Sequence, residues 1–506
     1  MRDFLLKNDR KKIRLLLMLY REDVGDGVPL LRLEKALGVS DRGLRTLVQE
    51  LEGDAEIASG ARWFRMEDRL RMSLTPGTSL RAMIQLFFRR LTITEMLLLL
   101  LSDESLTVSA MADTLHVSAS TIYRLVTQFN AMMQKRGNLR IEVGQMCVTG
   151  DEALVRSFYN ELLCEVMDPQ AFPFPGIAEA AFHEFIERVA EAFGLTLDLY
   201  RFQRFRRIVA INFMRYRHGH VLPMTDDLHP RVVAFIQEMA QYRSAFQPFE
   251  RRLGIAMNEE LFFNLFAQYV KKETYLSIDS IVYVPSHGGS ANLNDALLYL
   301  GQILFQLADE YDMPIDDVRR LLLELHNRMV LEREYGSMSF LFWDPHAMLI
   351  DGVRHYYPAF VDALGARLKE YYEKVFGEPT PSIVCRLMVV AIAHWGRFMD
   401  KLYDHYGRVS MLVLNSFSSG LVQENVAFLE NLFGRLVNIS YYDGVYRNDF
   451  LTRPGSPHYD IVLSNFAIAA PPGTDVIYFD SIFRPENVKH IYHALRAHFR
   501  PKKAGD

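Results

Sequence analysis

Apolar positions three and four apart, broken by one sharp turn and followed by a short alternating run, occur twice near the start of the chain. Residues 28–76 (VPLLRLEKALGVSDRGLRTLVQELEG, continuing to RWFRMEDRLRMSLTP) read as helix, turn, helix and hairpin. Residues 107–150 (TVSAMADTLHVSASTIYRLVTQFNAMMQKRG, then LRIEVGQMCVTG) repeat that order. The Val39-Ser40 turn returns as Val117-Ser118, 78 residues on, and the hairpin end at Thr75 returns at Thr149, 74 residues on. A helix-turn-helix followed by a β-wing presents its second helix to the DNA major groove, and a tandem pair is harder to obtain by chance than one copy. The pattern predicts DNA binding.

Beyond Gly150 the period is that of long helices. Segments 178–193, 197–217, 254–270, 293–311, 314–334, 359–376 and 383–403 carry apolar residues at i, i+3, i+4 and i+7. Loops rich in Pro, Gly, Ser and Asp separate them at 172–176, 218–230, 285–295 and 376–382. The loop at 285–295 divides the helical region into two units. A weak repeat supports that division: RFRRIVAINFMR (204–215) resembles DVRRLLLELHNR (317–328), matching Arg206, Arg207 and Arg215 to Arg319, Arg320 and Arg328. Near residue 408 the texture changes to short runs rich in Val, Ile and aromatics, alternating with helical stretches around 420–435 and 485–498. That alternation predicts a small α/β domain with a largely parallel sheet. Its loop at 415–420 leads into a helix whose backbone N–H groups could hold an anion.

A chain of 506 residues is too long for one core. The apolar runs, Met96 to Leu101 among them, are far short of the roughly 18 residues of a membrane span. The amino terminus is charged and lacks a signal-peptide cleavage site, so a cytoplasmic protein is expected. Three widely spaced cysteines, Cys147, Cys164 and Cys385, oppose a zinc site or a disulfide framework. The net charge of −5 looks wrong for a nucleic-acid binder until it is divided. Residues 1–150 hold 22 Lys+Arg against 18 Asp+Glu, a surplus of +4, and the remainder carries −9. The basic excess lies where phosphates need neutralising, and an acidic body discourages DNA from binding elsewhere.

The whole order resembles the Mga/AtxA-type transcriptional regulators of Gram-positive bacteria, most specifically in domain order and in TVSAMADTLHVSASTIYRLVTQFNAM. The resemblance implies a multidomain, mainly α chain: a first winged helix-turn-helix (1–80), a second of the Mga type (81–165), two helical regulatory domains like those controlled by the sugar phosphotransferase system (166–285 and 286–407), and an α/β domain like that system's EIIB component (408–506). It further implies histidine phosphorylation by the phosphocarrier HPr. The expected partners are double-stranded promoter DNA, HPr, RNA polymerase and a second copy of the chain. No cofactor, metal or membrane is expected.

In the second repeat, a recognition helix from about Ser118 to Met132 buries Ile122, Leu125, Val126 and Phe129. That leaves Ser118, Ser120, Thr121, Tyr123, Arg124 and Thr127 for the groove or the phosphates, with Arg124 suited to bidentate contact with guanine. Lys135, Arg136 and Arg140 flank the wing and suit backbone phosphates. In the first repeat Ser40, Arg42, Arg45 and Thr46 hold similar places. Asp41 among them repels phosphate unless it caps the helix, so direct base reading there stays open.

Fourteen of the 15 histidines follow residue 150. A phosphosite needs an exposed imidazole, and its dianionic charge can rearrange an interface near arginines. The candidates are His218 and His220 in RYRHGH, His326 in ELHNR, His355 in HYYPAF and His394 in AIAHWGRF; the position matching His326 in the first unit is Phe213. His355 and His394 resemble histidine positions of the regulatory domains. EIIB enzymes of this type carry a phosphorylatable cysteine in the loop after the first strand, and 415–420 has none. Dimerisation is therefore the expected role of that domain, with Tyr441, Tyr442, Tyr446 and Phe450 as aromatic supply. With no Walker loop, paired-carboxylate motif or HExxH, the chain is not expected to be an enzyme. Two other readings stand beside the DNA-binding one: an RNA-binding antiterminator with the same regulatory domains, opposed by the tandem helix-turn-helix, and a phosphotransferase component, opposed by the missing cysteine.

Overall fold

The computed structural model describes residues 4–22, 27–168, 170–193, 199–224, 228, 230–237, 243–269, 291–335, 338, 341–342, 344–404, 408–416, 419–442, 450–453, 455–480 and 485–498. After α1 (Lys7–Glu22), the first predicted unit forms β1 (Val28–Pro29), α2 (Leu30–Leu37), α3 (Asp41–Gly53), α4 (Ala55–Gly60) and the hairpin β2 (Ala61–Arg65)–β3 (Arg69–Leu74). The strands form an antiparallel sheet in the order β1-β3-β2. Two linking helices follow, α5 (Leu80–Arg89) and α6 (Thr92–Ser102). The second unit is α7 (Val108–Thr114), α8 (Ala119–Met133) and the hairpin β4 (Arg140–Glu142)–β5 (Cys147–Thr149).

The element that organises the rest was not visible as a stripe in the sequence. Helix α9 (Glu152–Val166) buries Val155, Phe158, Leu162, Leu163 and Val166, and also Arg156, Ser157 and Asn160. A helix buried on nearly every side shows no polar face, so its period is faint. The first helical bundle comprises α10 (Glu179–Phe193), α11 (Leu199–Arg217), α12 (Pro230–Gln237), α13 (Arg243–Leu253) and α14 (Glu259–Phe266). The second comprises α15 (Ala291–Glu310), α16 (Val318–Tyr335), α17 (Pro345–Tyr356), α18 (Pro358–Phe376), α19 (Pro381–His394) and α20 (Phe398–Asp404). The predicted boundary loop at 285–295 falls largely outside the described residues.

Helix α9 meets both bundles, one with each half. Near its start, Arg156 donates to the Asn264 carbonyl (2.8 Å) and side chain (2.9 Å) on α14. Near its end, Glu161 accepts from Arg386 on α19 (2.8 Å), and Glu165 accepts from the backbone N–H groups of Leu341 (2.5 Å) and Phe342 (2.7 Å). Phe342 also stacks on Phe88 of α5, with centroids 4.5 Å apart. The apolar core running from Leu5 to Ala267 therefore takes in Met338, Leu341 and Phe342 of the second bundle, whose own core spans Leu300 to Leu402.

The carboxy-terminal part has the strand order β7 (Val437–Tyr441), β6 (Val409–Leu414), β8 (Ile461–Ser464), β9 (Asp475–Tyr478), all parallel, with α21 (Ser419–Phe433) and α22 (Pro485–His498). Alternate residues of β6 face two cores, Met411 and Val413 in one and Leu412 and Leu414 in the other. The aromatic supply expected at the surface is partly spent inside. Tyr442 and Phe450 pack on each other at 4.5 Å within the smaller core, Tyr441 is exposed, and Tyr446 lies outside the described residues. Among the described residues no single helix is long and apolar enough to cross a membrane.

Candidate nucleic-acid interface and its regulatory contacts

Both predicted turns are built by the same hydrogen bonds. After α2, Gly38 turns left-handed (φ 61°) and the Val39 N–H donates to the Glu34 carbonyl (3.1 Å). After α7, His116 takes that conformation (φ 54°) and the Val117 N–H donates to the Ala112 carbonyl (2.9 Å). Each is a six-to-one helix stop with the left-handed residue just past the end. Ser40 then caps α3, accepting from the Gly43 N–H (3.3 Å), and Ser118 caps α8, accepting from the Thr121 N–H (3.2 Å).

The hydroxyls of Ser118 and Ser120 lie 2.7 Å apart and those of Ser118 and Thr121 3.0 Å apart, so this group is occupied in the cap. Thr127 donates back to the Tyr123 carbonyl (2.9 Å). Ile122, Leu125, Val126, Phe129 and Met133 are buried, while Ser120, Tyr123, Arg124 and Thr127 are exposed. Tyr123, Arg124 and Gln128 are thus the long side chains exposed on α8. Asn130 ties the hairpin to this helix, donating to the Ile141 carbonyl (3.2 Å) and accepting from its N–H (2.7 Å). Sequence reasoning missed Asn130, whose only signal was a polar residue at the edge of the apolar stripe. Lys135 and Arg140 are exposed and Arg136 is half-buried; Arg140 pairs with Glu142 at 2.6 Å.

In the first unit Ser40, Arg42, Arg45 and Thr46 are exposed, and Thr46 donates to the Arg42 carbonyl (3.0 Å). Ser40 makes the cap, so Asp41 has another task. It binds Arg45 (2.7 Å) and Arg65 of the hairpin (2.8 Å), and those hydrogen bonds, Arg45's foremost, hold its carboxyl below the usual range.

The histidine candidates separate sharply. His218 and His220 are half-buried at the end of α11, where Gly219 (φ 88°) closes the helix and the His220 N–H donates to the Arg215 carbonyl (3.0 Å). The His220 ring donates through Nε2 to Glu104 (2.7 Å), and Arg215, fully buried, donates to the same carboxylate (2.7 Å) and to Glu152 (2.7 Å). Burial foremost lowers the His218 pKa, partly opposed by Glu104. His326 is 1% exposed, with its ring 6.4 Å from that of Phe376, and so lacks the exposure that phosphoryl transfer requires. Phe213, its match in the first bundle, is equally interior. His355 lies on α17, with its side chain outside the described residues, and His394 is half-buried at the end of α19.

A buried ionic cluster joins the second bundle to α9. Arg386 binds Glu161 (2.8 Å) and Glu332 (3.2 Å), and Glu332 also binds Arg328. Burial opposes the charge on Arg386, yet Glu161 and Glu332 hold its pKa above the ordinary value.

Residues 76–163 match the family model described as the Mga helix-turn-helix domain. Residues 178–397 match that of the M protein trans-acting positive regulator (MGA) PRD domain. A chain of Streptococcus pneumoniae serotype 4 described as a trans-acting regulator is 20% identical over 417 residues, covering 82% of this chain and 83% of that one.

Proposed function

The chain belongs to the Mga family of DNA-binding transcriptional regulators with PRD regulation, and on that premise we propose that it grips promoter DNA with two winged helix-turn-helix units, 1–80 and 81–165, under control of histidine phosphorylation by HPr. The carrying observation is α8, which is capped by Ser118, anchored to its hairpin by Asn130, and turns Tyr123 and Arg124 outward. Arg124 is the base-reading residue in this proposal, and Lys135, Arg136 and Arg140 sit beside the phosphates. In the first unit Asp41 arrays Arg45 and Arg65 side by side, which suits phosphate contact better than base reading.

The bundles at 166–285 and 286–407 are the regulatory domains of this reading, with His218, His220, His355 and His394 as phosphorylation candidates and His326 set aside. The domain at 408–506 is EIIB-like in fold without its chemistry, because residues 415–420 hold no cysteine. It serves dimer assembly, RNA polymerase is met at the promoter, and the protein is cytoplasmic and not an enzyme.

A gel-shift comparison of duplex promoter DNA with hairpin RNA tests the leading function, and preference for the hairpin would favour the antiterminator reading. Mapping phosphohistidines under acid-sparing conditions, after incubation with Enzyme I, HPr and phosphoenolpyruvate, tests the regulation. No label on any histidine would reject HPr control and leave a plain DNA binder.

A further inference from the structure

Glu104 sits in the turn between α6 and α7, outside both helices of the second unit, yet it is held by the first regulatory bundle. One carboxylate oxygen accepts from Arg215 (2.7 Å) and the other from the His220 ring (2.7 Å), with His218 3.9 Å from the first. Arg215 also donates to Glu152 of α9 and to the Val148 carbonyl of the hairpin (3.0 Å), so its guanidinium is clamped from three sides. His220 is equally constrained: its N–H closes α11 and its carbonyl accepts from Arg156 (2.8 Å). Arg215 and His220 are therefore held against the hairpin and α9 as well as against Glu104.

The turn ties Glu104 closely to the start of α7. Asp103 accepts from the Ser105 N–H (2.9 Å) and hydroxyl (2.5 Å), and Thr107 caps α7 by accepting from the Ala110 N–H (3.2 Å). Only Ser105 and Leu106 separate the held carboxylate from the residue that caps α7, and α7 packs against α8. The ion pairs around it set two carboxylates, Glu104 and Glu152, against two guanidinium groups, Arg156 and Arg215. A negative charge placed on His220 leaves one carboxylate too many, and close like charges destabilise a partly buried site.

We propose that Glu104 is the positioning residue through which the first regulatory bundle sets the second helix-turn-helix, with His220 as its release point. This rests on the reading of α8 as the DNA-contacting helix. It does not require that His220 be phosphorylated in the cell.

The test is a double-mutant cycle in the full-length chain with Glu104→Gln, His220→Glu and both together, read by amide exchange over residues 107–133 and by promoter gel shift. For groups in contact, His220→Glu alone should quicken exchange and change DNA affinity by about tenfold, and adding Glu104→Gln should restore both to within about threefold of wild type. Additive effects, or unchanged exchange in His220→Glu, would overturn the proposal even if His220 is found phosphorylated. Should His220→Glu fail to fold, Glu104→Gln alone must quicken exchange in 107–133, and unchanged exchange there overturns it equally. Absence of any DNA binding by the wild type would sink the reading of α8, while the exchange cycle would still decide whether Glu104 couples the two parts.

Discussion

Gly38 and His116 hold the same left-handed backbone at matching points of two turns, one as glycine and one as a side-chain-bearing residue. A Cβ at Gly38 would meet nothing within 4 Å, so the cost of adding one is purely conformational. We expect Gly38→Ala to destabilise the first helix pair by about 1 kcal/mol. His116→Gly exchanges strain in the fold for glycine's larger unfolded entropy, and its effect should stay within about 0.5 kcal/mol. Amide exchange over 30–53 and 108–133 measures both. An unaltered exchange rate in Gly38→Ala would remove backbone conformation as the reason for glycine there.

Arg124 should carry specificity and Lys135 mainly affinity. Arg124→Ala is expected to weaken promoter binding by about 1–3 kcal/mol and to relax preference at one base pair. Lys135→Ala should weaken all sequences alike and reduce the slope of log K against log salt by about 1. A folded Arg124→Ala protein with the wild-type gel-shift midpoint would remove it from the base-reading role.

The turns were legible because they rest on local chemistry: Val-Ser after a helix stop, a serine cap and a stripe at 122, 125, 126 and 129. Three things were not. Helix α9 is surrounded, so its buried Arg156, Ser157 and Asn160 erase the amphipathic signal. The burial of His326 depends on the approach of α18, which brings Phe376 towards it from 50 residues away. Glu104 looked like one more acid in a polar turn, and its meaning comes from Arg215 and His220, over a hundred residues on. Long-range pairing, not local propensity, made these sites.

The Arg386 cluster should dominate the attachment of the second bundle to α9. Arg386→Met leaves Glu161 and Glu332 without their shared cation inside the protein. Breaking a buried pair costs about 3–5 kcal/mol, and the low end applies because Arg328 still partners Glu332. The urea transition that exposes Trp395, which is buried in the same bundle, should move to lower denaturant. Adding Glu332→Gln should recover part of the loss. A midpoint that does not move would show that the cluster only fills space.

Assembly through the carboxy-terminal domain is testable on its exposed side. Phe428 and Leu432 stand one helical turn apart on the open face of α21, and Tyr441 is exposed on the edge strand β7. Truncation before Arg408 should give a more monomeric protein that binds DNA more weakly, since a dimer joins two sets of half-site contacts. Phe428→Asp in the intact chain should act in the same direction. Light scattering that still shows a full dimer after truncation would move the interface to the helical bundles.

His346 should make the second bundle's junction sensitive to acid. It follows Asp344, the cap of α17, whose carboxylate accepts from the His346 N–H at 2.9 Å and lies 3.7 Å from its ring, and the ring feels the charges of Arg386, Arg328, Glu161 and Glu332. Burial first, then the arginines, push its pKa down to about 4 from an ordinary 6.5, with the two glutamates opposing. A depressed histidine pKa means that the unfolded chain takes up the proton first as pH falls. The contribution is therefore complete above about 6.5, declines as pH drops, and levels off once the folded form titrates near 4. Carboxylates titrate in the lower part of the same window, so the quantity to measure is the difference between wild type and His346→Gln. The denaturation midpoint should fall further between pH 7.5 and 5 for the wild type than for the variant, because the wild type has one more histidine, His346, that the unfolded state protonates before the folded one. Equal falls would show that the ring is already solvated in the folded protein and that the junction's acid response belongs to the carboxylates alone.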